Sequence, residues 1–420
     1  MGRTARDKRD RFRPRPVEKI ELDASHTTPR LIAAGALLLL GAGLLAYAFM
    51  GLFTPETGWQ TIEVNTSAGP TCGEDFTFLY EVSSGSEAKE LTSLYSELCK
   101  KAFQLFHSDQ EFEDVVNITS INLHPNEALE VDPALYEALS AAAASGRREL
   151  YLGPVYERYD DLFFCGDDSQ LVNYDPRLSE DVRAEYAEVL VYANDPQAVS
   201  LELLVGNRVR LSVSEGYLSW ARQEGITRFI DFAWMRNAFA ADYLAGELAA
   251  AGYTKGSLSS YDGFARNLDG RGTAYDYPLY HRQGNGIYPA ANLSYQGPVS
   301  FVQMRDYPIS KQDLQHYYQL SNGEIRTSYL DTADALCRSS IDTLVCYSQE
   351  MGCAQLLLEM IPVYIADEFR EDAVPALARE GIQSIYCRDR VLRYTDPDAV
   401  LKDFFNQDGI RYSGEQIALS

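Results

Sequence analysis

The twelve residues from Asp231 to Asp242, DFAWMRNAFAAD, sit where a chain could grip an anion. They follow the run Ile226 to Ile230 and open a helical run that ends at Gly252. A strand-to-helix turn of this kind aims backbone N–H groups at a negative ligand. Glycine there lets the backbone approach closely, and a lysine would add a mobile positive charge. This chain offers neither: Trp234 is bulky and Asn237 is uncharged. Trp234, Met235, Phe239 and Leu244 also read as the buried face of an ordinary helix. Anion recognition and plain packing both stay open at this point.

The elements that must position such a turn are legible along the chain. Phe76 to Val82 alternates and reads as a strand. Ser84 with Glu87 is a capping-box pair, and the helix behind it buries Leu91, Leu94, Leu98, Ala102 and Phe106. Asn117 to Asp132 is polar and ends in a short strand; Pro133 starts a helix, Ala134 to Ala144. Gly206-Asn207 sits at the turn of a hairpin. Tyr261 to Gly286, rich in Gly, Asp and Tyr, reads as a long loop. Leu356 to Met360 lies in a helix that Pro362 disturbs. Val374 to Arg379 is a further helix, Ile382 to Cys387 a strand, and Asp396 to Phe405 ends the regular structure. Strands and helices mixed in this way predict an α/β or α+β domain.

Charge excludes one class of partner. The 420 residues carry a net charge of -24, distributed unevenly. Residues 1–30 hold nine Lys/Arg against five Asp/Glu, whereas residues 54–420 hold 28 basic and 56 acidic side chains. So acidic a domain repels nucleic-acid phosphates. Leu31 to Phe53 is an uncharged stretch of 23 residues, long enough for a transmembrane helix. The basic residues before it keep the N-terminus cytoplasmic and send residues 54–420 outside. Ala46-Tyr47-Ala48 offers the alternative of signal cleavage. The division expected is a disordered cytoplasmic tail (1–30), a transmembrane helix (31–53), a linker (54–74) and an extracytoplasmic domain (75–415). Seven cysteines, none spaced CxxC, signal neither a zinc site nor a redox dithiol, and read as buried thiols.

Seven places, in the family's order over roughly residues 75–390, resemble the FAD:protein FMN transferase (ApbE) family. Asp231 to Asp242 resembles that family's DLGGIAKGYAAD; the paired glycines fall on Ala233 and Trp234, the lysine and glycine on Asn237 and Ala238. Ser120 to Leu139 resembles its link and second helix. Glu149 to Val155 is similar to DITVGPL, with Gly153 and Pro154 kept. The hairpin Gly206 to Leu211 stands in the family's order. Ser259 to Gly263 resembles a double-glycine turn with Asp262 in place of one glycine, and Gly323 to Asp331 resembles GKRYHHILD with Thr327 and Ser328 for the histidines. Ala354 to Glu359 is similar to the metal-binding ADALST, with Gln355 and Glu359 at the ligand positions.

The resemblance implies a site at named residues. Asp231, Asn237, Asp262 and Gly263 would face the cofactor, Glu359 and Gln355 the metal, and Asp331 and Ser328 are the candidates left for catalysis. The family's reaction passes FMN from FAD to a threonine hydroxyl and needs Mg²⁺ on oxygen ligands. Gln355 offers only a neutral oxygen, and an acid–base group has no clear owner. His281 reads as a solvated loop residue and His316, beside Tyr317 and Tyr318, as a packing residue. The expectation is a membrane-anchored, catalytically degenerate ApbE-like domain that binds a ligand or a partner protein in the old cleft. The alternative is an active, divergent transferase using FAD and Mg²⁺ on an acceptor protein outside the cytoplasm. A third reading is an envelope protein whose cleft is packed shut by Trp234.

Overall fold

Alternate bulky residues make FTFLYEV a half-buried ribbon, and its neighbours in space come from distant parts of the chain. The computed structural model describes residues 57–65, 69–284 and 286–418. Leu31 to Phe53 lies outside them; among the described residues no helix is long and apolar enough to cross a membrane. The first half runs β1 (Gly58–Ile62), β2 (Phe76–Val82), α1 (Gly85–Phe106), α2 (Ile118–Leu123), β3 (Ala128–Glu130), α3 (Pro133–Ala144), α4 (Gly153–Tyr159), α5 (Glu180–Ala193), β4 (Val199–Leu204), β5 (Arg208–Val213), α6 (Glu215–Glu224) and α7 (Arg236–Ala250). The second half runs β6 (Gly256–Ser260), β7 (Phe264–Asn267), β8 (Ala274–Gln283), β9 (Gly286–Gln296), β10 (Val299–Arg305), β11 (Tyr317–Gln319), β12 (Ile325–Thr327) and β13 (Thr343–Ser348). It continues with α8 (Cys353–Tyr364), α9 (Val374–Arg379), β14 (Gln383–Arg388), β15 (Val391–Tyr394), β16 (Val400–Lys402), β17 (Asn406–Gln407), β18 (Ile410–Arg411) and β19 (Ser413–Gln416).

One 9-stranded sheet, ordered β1-β2-β6-β7-β10-β13-β14-β15-β19, organises the whole. Its neighbours are antiparallel except the parallel pair β15 and β19. The mixed α/β class expected is the one observed. The central strands are covered on both faces, so β10 and β13 are buried at every residue. Because side chains alternate, Val302, Met304, Leu344 and Cys346 join the core beneath the helices. Phe301, Val345 and Tyr347 join a second core under β8, β9 and β16. On the helix side, α1 buries Leu91, Leu98, Ala102 and Phe106 as its spacing requires, with Leu94 half-buried. Ser84 Oγ caps it by accepting the Glu87 N–H at 3.2 Å.

Four expectations are corrected. Residues 54–74 are not all linker: Gly58–Ile62 pairs with β2 as the sheet's edge. Tyr261 to Gly286 is not a loop but carries β7 and β8; Tyr275 stacks on Tyr295, and Tyr277 on Phe301 with centroids 4.3 Å apart. Pro362 lies within α8, which continues through it to Tyr364. Regular structure continues past Phe405 through β17, β18 and β19. The thiols follow expectation: Cys72, Cys99, Cys337, Cys346, Cys353 and Cys387 are buried and unbridged, and Cys165 is half-buried.

Helix α8 begins against α7. Asp242 of α7 accepts the N–H groups of Cys353 (2.8 Å) and Ala354 (2.9 Å) and pairs with Arg266. A carboxylate on otherwise unbonded N–H groups also complements the helix dipole. A Cβ on Gly352 would lie 2.3 Å from Asp242 Oδ2, so glycine gives the carboxylate its place. Asp242→Ala is expected to lower unfolding free energy by about 1–2 kcal/mol, read from urea denaturation; an unchanged midpoint would refute this role.

Candidate functional site: a closed cleft at the start of helix α7

The turn before α7 is pinned from two sides. Asp231, buried, donates its N–H to the Leu150 carbonyl at 2.8 Å. Its Oδ1 accepts the Ala233 N–H at 2.7 Å and its Oδ2 accepts from Arg228 Nη1 at 3.0 Å. Arg228 also pairs with Asp109. The Arg228 carbonyl presses on Gly153, where a Cβ would lie 2.7 Å from that oxygen. This close approach accounts for the glycine of the Gly153-Pro154 pair. Ala233 takes φ 44°, a left-handed conformation that suits glycine far better than alanine. The local backbone keeps a glycine-like shape without the glycine.

The next side chain, Trp234, turns inward. It is 6% exposed, and its ring meets Tyr329 edge-on at 5.0 Å. These two rings, with Ser328, Tyr317, His316 and Gln303, enclose a cavity of about 10 Å³, at the limit for one water. Ser328, a catalytic candidate, is therefore buried against packed aromatics. Asp331, the other, closes a turn: Oδ1 accepts the Ala333 N–H at 2.8 Å and Oδ2 pairs with Arg338 at 3.1 Å. The two are not brought together on one reactive centre.

Asn237 and Asp262 do meet. Asn237 Nδ2 donates to Asp262 Oδ2 at 2.9 Å. Gly263 beside them has φ 112°, and a Cβ there would sit 2.2 Å from the Gln303 carbonyl oxygen, so this glycine serves the close packing of the turn. A separate cavity of about 180 Å³ opens next to the pair, lined also by Glu74, Asp75, Asp313 and His316. Burial raises the Asp75 carboxyl above its ordinary range; Arg236, 3.8 Å away, opposes the shift and Asp262 adds to it. Burial likewise raises Asp262. His316 is pushed down to about 4, by burial first and then by Arg236, so its imidazole is neutral near pH 7.

The proposed metal positions lie on α8. Gln355 is exposed and Glu359 half-buried, and residues four apart share one helix face. Among the described residues no three His, Cys, Asp or Glu stand together as a metal site. Of the two cavities that Asp262 lines, one is filled by rings, and the other is lined by Glu74, Asp75 and Asp313 as well, carboxylates that disfavour a diphosphate. His281 is corrected from a solvated loop position: it lies on β8, with Nδ1 2.9 Å from Tyr412 Oη.

Sequence reasoning missed Asp75, Asp160 and Arg236. Asp160 is pushed up to about 7, mainly by burial and then by the Asp231 charge. Nothing in DDLFF distinguishes it from a surface acid; only the fold brings it to Asp231. Arg236 stood inside the motif but outside its lysine position, and so was passed over.

No protein-family model matches the sequence, and no curated protein matches it. Solved structures do. The ApbE protein of Thermotoga maritima superposes with a TM-score of 0.54 at 15% identity, covering 79% of this chain and 94% of that one. A point variant of the flavin transferase ApbE from Vibrio cholerae gives 0.51 at 13% identity, over 83% and 98%. The chain has the fold of the ApbE flavin transferases. On the ApbE fold, the low identity agrees with a divergent sequence, as the replaced motif residues already indicated.

Trp234→Ala is expected to cost about 3–5 kcal/mol, measured by chemical denaturation, because the indole fills its cavity; a change under about 1 kcal/mol would mark it as a loose gate. Asp160 makes the fold sensitive to base. Its folded pKa lies above the unfolded value, so between roughly pH 4 and 7 the fold retains a proton that the unfolded chain releases. Stability therefore falls as pH rises through that window, and the loss is complete above it. Asp160→Asn should raise the urea midpoint at pH 8 and leave it nearly unchanged at pH 4; equal shifts at both would contradict the assignment.

Proposed function

We propose that this chain is a membrane-anchored, extracytoplasmic ApbE-fold domain that has lost flavin transfer and uses the remains of its cleft for recognition. The observation that carries the reading is Trp234, packed edge-on against Tyr329 where the turn would otherwise face a ligand. Three further features support it. The lysine position is Asn237, whose amide is tied to Asp262. The candidate catalytic groups are divided between a buried hydroxyl, Ser328, and a carboxylate held by Arg338. The surrounding charge opposes a pyrophosphate: the sequence carries 61 acidic and 37 basic residues.

Anchoring rests on the uncharged stretch Leu31 to Phe53 behind a basic leader, which by the positive-inside rule directs the ApbE-fold domain outward. A recognition module at the membrane surface needs no metal and no turnover. Its partner is a small ligand or a protein outside the cytoplasm, and the acidic balance argues against nucleic acid.

The test is a titration of the full chain with FAD, with and without Mg²⁺, followed by flavin fluorescence and heat, together with an assay for covalent flavin on a threonine-bearing acceptor. The expected result is no saturable FAD binding and no flavinylated acceptor. Tight, Mg²⁺-dependent capture of FAD with transfer would restore the active transferase.

A further inference from the structure

The short turn Cys72–Asp75 is wedged against α1. Gly73 is buried there, and a Cβ on it would lie 2.2 Å from Val64 Cγ1, so the turn runs hard against the segment that follows β1. Thr71 Oγ1 accepts the Gly73 N–H at 3.2 Å and fixes the start of the turn. From the helix side, Ser96 Oγ accepts the Asn65 N–H at 2.8 Å. These contacts seat Cys72 on the face of α1 that carries Cys99. Cys72 is 4% exposed and Cys99 0%, and the two thiols stand within hydrogen-bonding reach of each other.

The other cysteines have partners of a different kind. Cys165, Cys346 and Cys353 meet carbonyl or hydroxyl oxygens, Cys337 neighbours Tyr159, and Cys387 the backbone of Arg390. The seven thiols therefore resolve into one pair and five single groups. Cys72 and Cys99 lie too far apart in sequence for their spacing to reveal this.

We propose that Cys72 and Cys99 are a disulfide-forming pair, closed by exchange with a disulfide oxidant as the domain folds, and that the bond fastens the turn Cys72–Asp75 to α1. One cysteine thiolate attacks a sulfur of the oxidant's disulfide, giving a mixed disulfide and one released thiolate. The second cysteine thiolate displaces the remaining oxidant sulfur and forms the Cys72–Cys99 bond. The oxidant leaves as two thiols, having taken up the two electrons and two protons that the cysteines gave up. Exchange needs an accessible thiolate. In the finished fold Cys72 is held well above the ordinary thiol range, by Cys99 first and then by burial. The bond therefore forms before the turn closes over α1, and burial then shields it from reductants. Glu74 and Asp75 of the same turn line the cavity of about 180 Å³ beside Asn237, so the bond anchors one wall of the old cleft. Disulfides persist outside the cytoplasm; the inference rests on the outward placement proposed above and gives it a covalent mark.

The experiment unfolds the full chain in urea, detergent and reductant, and refolds it with a mixture of oxidised and reduced glutathione. Free thiols are alkylated in denaturant before mass spectrometry without reduction. The expected result is the loss of two of the seven thiols and a peptide pair joining Cys72 to Cys99. The oxidised chain should melt about 5 °C or more above the same chain after reduction. In Cys72→Ala and in Cys99→Ala that redox difference should vanish. Cys353→Ala, which removes a buried thiol with no sulfur neighbour, should keep both the cross-link and the redox difference. Seven free thiols in the refolded wild-type chain, a cross-link through any other cysteine, or a wild-type melting point indifferent to reduction would overturn the proposal. Because the oxidant is in the refolding buffer, none of these outcomes depends on membrane placement or on FAD, so failure here is distinct from failure of the reading above.

Discussion

One half-buried guanidinium ties the site together. Arg228 joins Asp231 of the turn to Asp109, which lies beyond the end of α1. Its side chain is 13% exposed and that of Asp231 6%, so that pairing acts in a medium that screens charge weakly, whereas Asp109 is 59% exposed. Removing Asp231 would leave a positive charge short of a buried partner, which is costlier than losing a surface pair. The Arg228 carbonyl lies against Gly153, and Asp231 is bonded to Leu150. Next to these contacts Ala233 takes φ 44° and Trp234 packs inward.

The fate of the glycines follows the same logic. Gly153 and Gly263 are places where a Cβ would collide with backbone oxygens of the chain itself, at 2.7 and 2.2 Å. Those glycines serve the fold. The positions occupied by Ala233, Trp234 and Asp262 accept side chains, and two of these now fill or line cavities. Ala233, Trp234 and Asp262 stand where no such collision excludes a Cβ; where two strands of backbone touch, glycine remains.

Much of the scaffold was legible in the residues. The alternation of β2, the spacing and cap of α1, the proline at the start of α3 and the Gly206-Asn207 turn all obey local rules, and local rules hold when a segment's own pattern decides its state. Gly206 and Asn207 indeed both have positive φ. Tyr261 to Gly286 misled because Gly and Asp mark loops, whereas the tyrosines between them pair across β8 and β9 and stack on the second core. That is a tertiary effect, invisible to composition. At the site, the Asn237–Asp262 meeting was foreshadowed by two motif positions, but Asp75, Asp160 and His316 come from segments far apart in sequence. Their ionisation is set by burial, which no spacing reveals.

The sheet begins and ends with strands of unlike standing. At one edge, β1 is held by β2 alone within the sheet, over the five residues Gly58–Ile62. It is also the first element after residue 57. Tension arriving along the polypeptide from that side meets this short ribbon before it meets any helix or the doubly covered centre. A five-residue ribbon held from one side is where the sheet frays first, while β10 and β13 stay covered on both faces.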